Sequence, residues 1–143
     1  MKNSVLITGK TKLYYTVLHE LGHILGIGTL WSSPIQNVPI SQNAGDNTYY
    51  YTGTNALREY KNYFPSISST LIGIPIENDG GSGTANVHPE EVNNRLINGV
   101  SHPGLDHELM TGWSETTPIP TPMSRITIGL LEDIGFQVNY NEA

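Results

Sequence analysis

One segment constrains the fold of this chain more than any other, because residues 12–27 combine an apolar helical face with a polar one. Apolar residues recur at spacings of four, three and four, which predicts one stripe along a helix: Tyr14, Leu18, Leu21 and Leu25. At about 100° per residue, His19 and His23 lie about 40° apart on the opposite face. The fold must therefore cover the apolar stripe while leaving two imidazoles free on the other side.

The polar face of this predicted helix carries the sequence HELGH, from His19 to His23. An HExxH pattern places two imidazoles one helical turn apart, so that both reach one zinc ion while Glu20 addresses a zinc-bound water. The metal lowers the pKa of that water, and the carboxylate takes its proton as the water attacks a carbonyl. Gly26 then supplies the predicted helix end. The pattern predicts a catalytic metal site.

A zinc site of this kind needs at least one further protein ligand. The chain has no cysteine, so the ligands must be nitrogen or oxygen atoms. Three histidines remain outside the helix: His88, His102 and His107. From the residues alone, each of the three is a candidate for the third position.

The overall composition excludes several classes of protein. A length of 143 residues is that of one domain, and we expect residues 1–143 to form a single unit. The net charge of −6, with only seven Lys and Arg, argues against nucleic-acid binding. No apolar stretch reaches transmembrane length, and the run from Val5 to Ile7 is too short for a signal peptide. We therefore expect a soluble chain, and its location is not predicted.

The remainder of the chain is predicted to form short strands and helices joined by long polar loops. Short extended segments are predicted at residues 49–52 and 71–76, the second at a sheet edge because it contains Pro75. A surface helix is predicted at residues 55–64. A last helix is predicted to have Thr121 as its cap and to end at Gly135.

Several motifs, in order, resemble those of leishmanolysin-like peptidases, which belong to the metzincins. HELGHILGIGTLW resembles the active-site helix of that family, and PIENDGGSGTANVHPEE resembles its glycine-rich approach to the third ligand. ELMTGW resembles its Met-turn, and SRITIGLLEDIGFQVNY the helix that follows. The strict metzincin pattern requires a third His where this chain has Thr29. Leishmanolysin-like peptidases instead carry an insertion before that His.

The resemblance implies a zinc metalloendopeptidase and assigns roles to particular residues. His19, His23 and His88 would hold Zn²⁺, and Glu20 would be the general base. Met110 would be the Met-turn methionine beneath the metal, and Gly26 would let the chain leave the helix. The implied fold is an α+β metzincin-like zincin domain, consisting mostly of the active-site helix and the C-terminal subdomain.

Two alternatives to His88 as third ligand remain. The segment between His88 and the Met-turn is longer than in simple members of the family, which keeps His102 as an alternative. A carboxylate could instead be the third ligand, as in thermolysin-like enzymes, and the candidates are Glu90, Glu91, Glu108 and Glu132, the last of them on the last predicted helix. His107 precedes the Met-turn segment and is expected to orient that turn or to lie at the surface.

The region before the active-site helix is short for a metzincin. Such enzymes have an N-terminal subdomain whose sheet aligns the peptide substrate, whereas only 18 residues precede His19 here. We expect little of that sheet, at most a strand at residues 5–8. A partner chain or missing segment would complete the subdomain and cover the apolar stripe. The alternative function is a non-catalytic structural or interaction module that keeps the fold, with or without the metal.

Overall fold

A computed structural model describes residues 10–31, 40–43, 48–115 and 119–142 of the chain. These residues form a small α+β domain with three α-helices and two small antiparallel sheets, which confirms the predicted class. The helices are α1 (Lys12–Leu25), α2 (Thr54–Tyr63) and α3 (Arg125–Asp133), and the strands are β1 (Ile40–Gln42), β2 (Tyr49–Tyr51), β3 (Ile74–Pro75), β4 (Arg95–Ile97) and β5 (Val100–His102). None of the described helices has the length and apolar character needed to span a bilayer.

Helix α1 begins and ends where the sequence predicts. The Thr11 side chain accepts a hydrogen bond from the Tyr14 backbone N–H at 3.2 Å, which caps the first turn. Gly26 ends the helix in the left-handed region, with a φ of 118° that a residue with a side chain rarely adopts. The apolar face that we expect to be covered is largely exposed, and its exposed members are Leu13, Tyr14, Val17, Leu21, Ile24 and Leu25.

The two sheets are short and lie in the middle of the chain. β2 lies between β1 and β3 in the first sheet, so β3 is an edge strand, as its proline requires. β4 and β5 form a hairpin that the sequence analysis does not predict. Asn98 and Gly99 connect them with φ angles of 50° and 81°, as in the two-residue turns that favour Asn-Gly. The segment 5–8, predicted as a strand, lies outside the described residues.

Helices α2 and α3 pack closely because one position between them is glycine. A Cβ on Gly129 would lie 2.6 Å from the Ala56 Cα, so only glycine permits this backbone approach. The Asp133 carboxylate at the end of α3 accepts hydrogen bonds from the N–H groups of Asn55 and Ala56, at 2.8 and 3.1 Å. Asp133 thereby caps α2, whose N-cap residue, Gly53, has no side chain to do so.

Helix α3 begins later than predicted. Its cap is Ser124, whose hydroxyl accepts from the Ile126 N–H at 3.1 Å, so the prediction of Thr121 is wrong. The physical reason is a tertiary contact: the Pro122 carbonyl accepts a hydrogen bond from the Leu109 N–H at 3.0 Å. That carbonyl is therefore engaged with another segment, and the helix starts at Arg125, three residues beyond Pro122.

Candidate metal centre

The structure brings three of the five histidines together. His19 and His23 project from the same face of α1, and His88 approaches from the loop after β3. Their Nε2 atoms are 3.0 Å apart for His19 and His23, 2.9 Å for His23 and His88, and 3.2 Å for His19 and His88. Three ring nitrogens therefore converge on one point.

The other nitrogen of each ring is held by a backbone carbonyl. His19 Nδ1 lies 2.7 Å from the Leu109 oxygen, His23 Nδ1 lies 2.9 Å from the Ile27 oxygen, and His88 Nδ1 lies 2.9 Å from the Thr84 oxygen. A carbonyl only accepts, so each Nδ1 carries the proton and donates it. Each neutral imidazole then has its Nε2 lone pair directed at the other two. Backbone contacts of this kind orient histidines that ligate metals.

Three converging lone pairs repel each other unless a cation lies between them. Around a tetrahedral zinc with ligand bonds near 2.05 Å, neighbouring ligand atoms are about 3.3 Å apart. The three observed separations fall within a few tenths of an ångström of that value. Burial lowers the pKa of His88 to about 4 and also lowers the pKa of His19, so these rings are neutral at pH 7. The residues fit a zinc ion.

Helix α1 is held against the turn that contains Met110. The Met110 side chain is fully buried and packs against Gly22. A Cβ on Gly22 would lie only 2.5 Å from the Met110 Sδ, so the sulfur occupies the space that a side chain at position 22 would need. The neighbouring Leu109 carbonyl is the partner of His19. The same turn therefore supports helix α1 by packing and orients one of its histidines. The sequence analysis did not single out Gly22.

The loop that carries His88 is placed by two glycines on the segments that it touches. A Cβ on Gly28 would lie 2.0 Å from the Val87 carbonyl oxygen, and the φ of Gly28 is 75°. A Cβ on Gly112 would lie 2.4 Å from the Thr84 Cγ2 and 3.5 Å from the His88 ring. Gly28 is therefore required for the close approach of the loop backbone, whereas a side chain at Gly112 would displace the Thr84 side chain. The sequence shows that both residues are glycines, but it does not show that the His88 loop packs against them.

The three histidines line an open cleft of about 320 Å³. Glu20 is exposed and lines the same cleft, one helical turn from Thr16. The opposite wall comes from the segment after Met110, and its apolar contributors are Trp113 and Ile119. The Glu20 and Glu115 carboxylates, three imidazoles and an apolar wall thus face one open space.

Trp113 is fixed at the edge of this cleft by a buried carboxylate. Its Nε1 donates a hydrogen bond to Glu77 Oε2 at 3.2 Å, while the other Glu77 oxygen accepts from the N–H groups of Asn78 and Asp79. Glu77 is 1% exposed and Trp113 is 48% exposed. The indole is therefore anchored at its polar edge and presents its apolar surface to solvent. Sequence reasoning did not identify this pair.

The alternative third ligands lie elsewhere. His102 is fully buried in β5, not at the surface, and backbone groups occupy both of its ring nitrogens. Nδ1 lies 2.8 Å from the Val100 oxygen, and Nε2 accepts from the Ile72 N–H at 3.2 Å. Glu132 accepts a hydrogen bond from the Tyr140 hydroxyl at 2.6 Å. Neither residue is in the group that contains His19, His23 and His88. His107 is half-exposed and bonds to Glu115 at 2.7 Å.

Glu108 joins the Met110 turn to helix α3. Its buried carboxylate accepts from the Ser124 N–H at 3.1 Å and from the Thr127 hydroxyl at 2.5 Å. Burial raises the pKa of Glu108 in spite of these hydrogen bonds. The carboxylate thereby ties the turn under the histidines to the start of the last helix.

No protein-family model and no curated protein matches this sequence. The likeness to leishmanolysin-like peptidases therefore rests on the motifs quoted above, and the activity that it implies is a proposal.

Proposed function

We propose that this chain is a zinc-dependent endopeptidase of the leishmanolysin-like metzincin type. The observation that carries the proposal is the convergence of three Nε2 atoms within 3.2 Å, each on a ring whose Nδ1 faces a backbone carbonyl. Nitrogen ligands in this number, with an open side toward solvent, are the donor set of catalytic zinc sites. Zinc held there would act as a Lewis acid on a carbonyl and make a water molecule acidic near neutral pH.

Glu20 would perform the proton transfers. It lies in the same cleft as the three imidazoles and is exposed, so a water molecule or a substrate amide can reach it. Its carboxylate would accept the proton of the attacking water and then donate it to the leaving amine. A site that merely held a metal would not need a carboxylate at this position.

The substrate would be an extended peptide lying along the cleft. The segment after Met110 contributes residues 111–115 to the wall of the cleft. Trp113 and Ile119 offer apolar surface there, whereas Thr16 and Lys12 lie on the helix side. We therefore expect a preference for substrates with an apolar side chain next to the cleaved bond.

A second candidate function is a non-catalytic interaction module that retains the metal. The observation that favours it is the exposed apolar face of α1, where Ile24 is 78% and Leu13 is 59% exposed. A contiguous apolar face is a common feature of surfaces that bind another protein. A partner chain of this kind would pack against the same face.

The decisive experiment measures zinc content and casein hydrolysis together. We expect about one tightly bound zinc per chain, loss of hydrolysis by at least 100-fold in Glu20→Gln with unchanged zinc, and loss of both in His88→Ala. Asp79→Asn is the control, because Asp79 is an exposed carboxylate outside the cleft. Zinc binding without hydrolysis in the wild type would favour the interaction module, and no zinc binding at all would contradict both functions.

A further inference from the structure

A second group of ligand-type side chains lies just after the hairpin, outside the three-histidine site. Asp106, His107 and Glu115 each offer one ligand atom, and these three atoms lie within 4.8 Å of one another. His107 Nδ1 is 2.7 Å from Glu115 Oε1 and 3.3 Å from Asp106 Oδ1. The ring nitrogen thus lies between two carboxylates that come from different segments of the loop.

A third carboxylate, that of Glu91, adds to this group an observation of a different kind. Glu91 is a partly buried residue whose carboxylate is hydrogen-bonded by the Thr111 side chain, while its buried Oε2 atom has no hydrogen-bond partner within the described part of the chain. A buried polar atom without a partner is rare and calls for a water, a proton or an ion. Burial raises the pKa of Glu91, and the charges of Glu115 and Asp106 raise it further, so all three carboxylates lie within electrostatic reach of each other.

The local charge is strongly negative. The Asp106 and Glu115 carboxylates flank the His107 imidazole, and the Glu91 carboxylate acts on it electrostatically. Lys12 Nζ donates to the Glu115 backbone oxygen and not to a carboxylate. A singly protonated His107 would leave a net charge of −2 on these four side chains. A dication bound between them would neutralise that excess.

We propose that Asp106, His107 and Glu115 form a second divalent-cation site, in which the Glu91 carboxylate supplies additional negative potential. A mixed set of imidazole nitrogen and carboxylate oxygen suits zinc and similar transition metals, whereas calcium prefers oxygen ligands alone. Asp106 and His107 are half-exposed, so an ion reaches the site directly from solvent. The site does not depend on peptidase activity.

The position of this site links it to the cleft. Glu115 lines the same cleft as Glu20, and its side chain is 20% exposed. An ion at this site would fix the segment of residues 106–115, which includes the turn under the histidines. The second site would therefore hold one wall of the cleft in place.

The test is a titration of metal-free protein with Zn²⁺ alone, measured by isothermal titration calorimetry at pH 8. This pH is chosen because Glu115 and Asp106 raise the pKa of His107, and a proton on the ring would compete with the metal. The wild type should bind two equivalents. His107→Asn should bind one, and asparagine is chosen because the His107 φ of 67° lies in a region that asparagine tolerates.

Two further variants separate this proposal from the proposed function. His88→Ala should lose the first equivalent and keep the second, so failure of the three-histidine site leaves this test intact. Asp106→Asn should weaken the second equivalent at least ten-fold, while Asp79→Asn, an exposed control, should keep both. An equal number of bound zinc ions in the wild type and in folded His107→Asn, or unchanged affinity in Asp106→Asn, would overturn the proposal.

Discussion

Gly22 on α1 and the buried Met110 occupy adjoining space, because a Cβ on residue 22 would lie 2.5 Å from the Met110 Sδ and 2.8 Å from its Cε. The glycine therefore sits inside the HELGH motif for a packing reason that the motif itself does not reveal. It lets the methionine fill the space directly beneath the helix that carries His19 and His23.

We predict that Gly22→Ala destabilises the protein. Alanine in a helix interior normally gains about 1 kcal/mol over glycine, but the clash with a buried side chain should reverse the sign and cost about 1–3 kcal/mol. Urea denaturation with and without zinc measures the change. Gly83→Ala is the control, since no atom lies within 4 Å of a Cβ at that position. Equal stability of the two variants would show that Met110 moves aside freely.

Gly28→Ala should impair zinc binding by displacing the His88 loop. A Cβ at Gly28 would lie 2.0 Å from the Val87 oxygen, and the φ of 75° adds backbone strain, so we expect a loss of more than about 2 kcal/mol of stability. Zinc affinity, measured by competition with a chromophoric chelator, should fall at least ten-fold. Gly135→Ala is matched for positive φ but has open space around it, and its zinc affinity should be unchanged.

Asp133→Ala should weaken the contact between α2 and α3. The carboxylate accepts from the N–H groups of Asn55 and Ala56 and from the Tyr51 hydroxyl, and two of these donors are backbone groups at the start of a helix. We expect a loss of about 1–3 kcal/mol in the free energy of unfolding. Glu132→Ala removes a neighbouring, half-exposed carboxylate and should cost less than about 1 kcal/mol. A similar loss in both variants would contradict the capping role.

Stability should decrease in acid partly through Glu59. Burial acts to raise the pKa of Glu59, but hydrogen bonds from Arg125 and Arg58 outweigh it and hold the pKa below its ordinary 4.5. A lowered pKa in the folded state contributes stability above pH 4.5, and this contribution is lost as the pH falls through the folded value. Glu59→Gln should therefore be less stable than wild type at pH 7 and lose less stability between pH 4.5 and pH 3.

The measurement for Glu59 is urea denaturation across this pH range with a chelator present, so that metal release from the histidines does not contribute. Identical pH dependence in wild type and Glu59→Gln would show that the two arginines do not stabilise the charged carboxylate.

The sequence predicts the parts of the fold whose signals are local. Helix α1 has its cap, its periodicity and its terminal glycine within one segment, and its bounds match the structure. The α2 prediction is also confirmed to within one residue. The Asn98-Gly99 turn is a local signal too, because Asn-Gly between two extended segments favours the hairpin of β4 and β5, which was not predicted.

The features that the sequence does not predict depend on contacts between distant residues. The start of α3 is decided by the bond from Leu109 to the Pro122 carbonyl. The residues that flank His102 are typical of a surface loop, yet its ring is buried because the Ile72 N–H and the Val100 carbonyl hold it. No spacing rule reveals such pairings, which are 30 residues apart in the case of Ile72.

The same limit applies to the candidate metal centre. HELGH identifies His19 and His23 because helical geometry relates them, whereas the approach of His88 depends on Gly28 and Gly112. His88 was predicted as the third ligand from a resemblance between motifs, and the structure places its Nε2 atom 2.9 Å from the His23 Nε2 atom. Its role as a zinc ligand stays a prediction until the metal is measured.

The three carbonyls that orient the histidines belong to Ile27, Thr84 and Leu109, which lie in three separate segments. An unfolded chain cannot hold these segments together, so an ion that needs all three rings binds only the folded form. Metal affinity and folding are then one linked equilibrium, and each ten-fold rise in free metal above the dissociation constant adds about 1.4 kcal/mol to the apparent stability. The measured melting temperature of this protein would report the free metal concentration of its buffer.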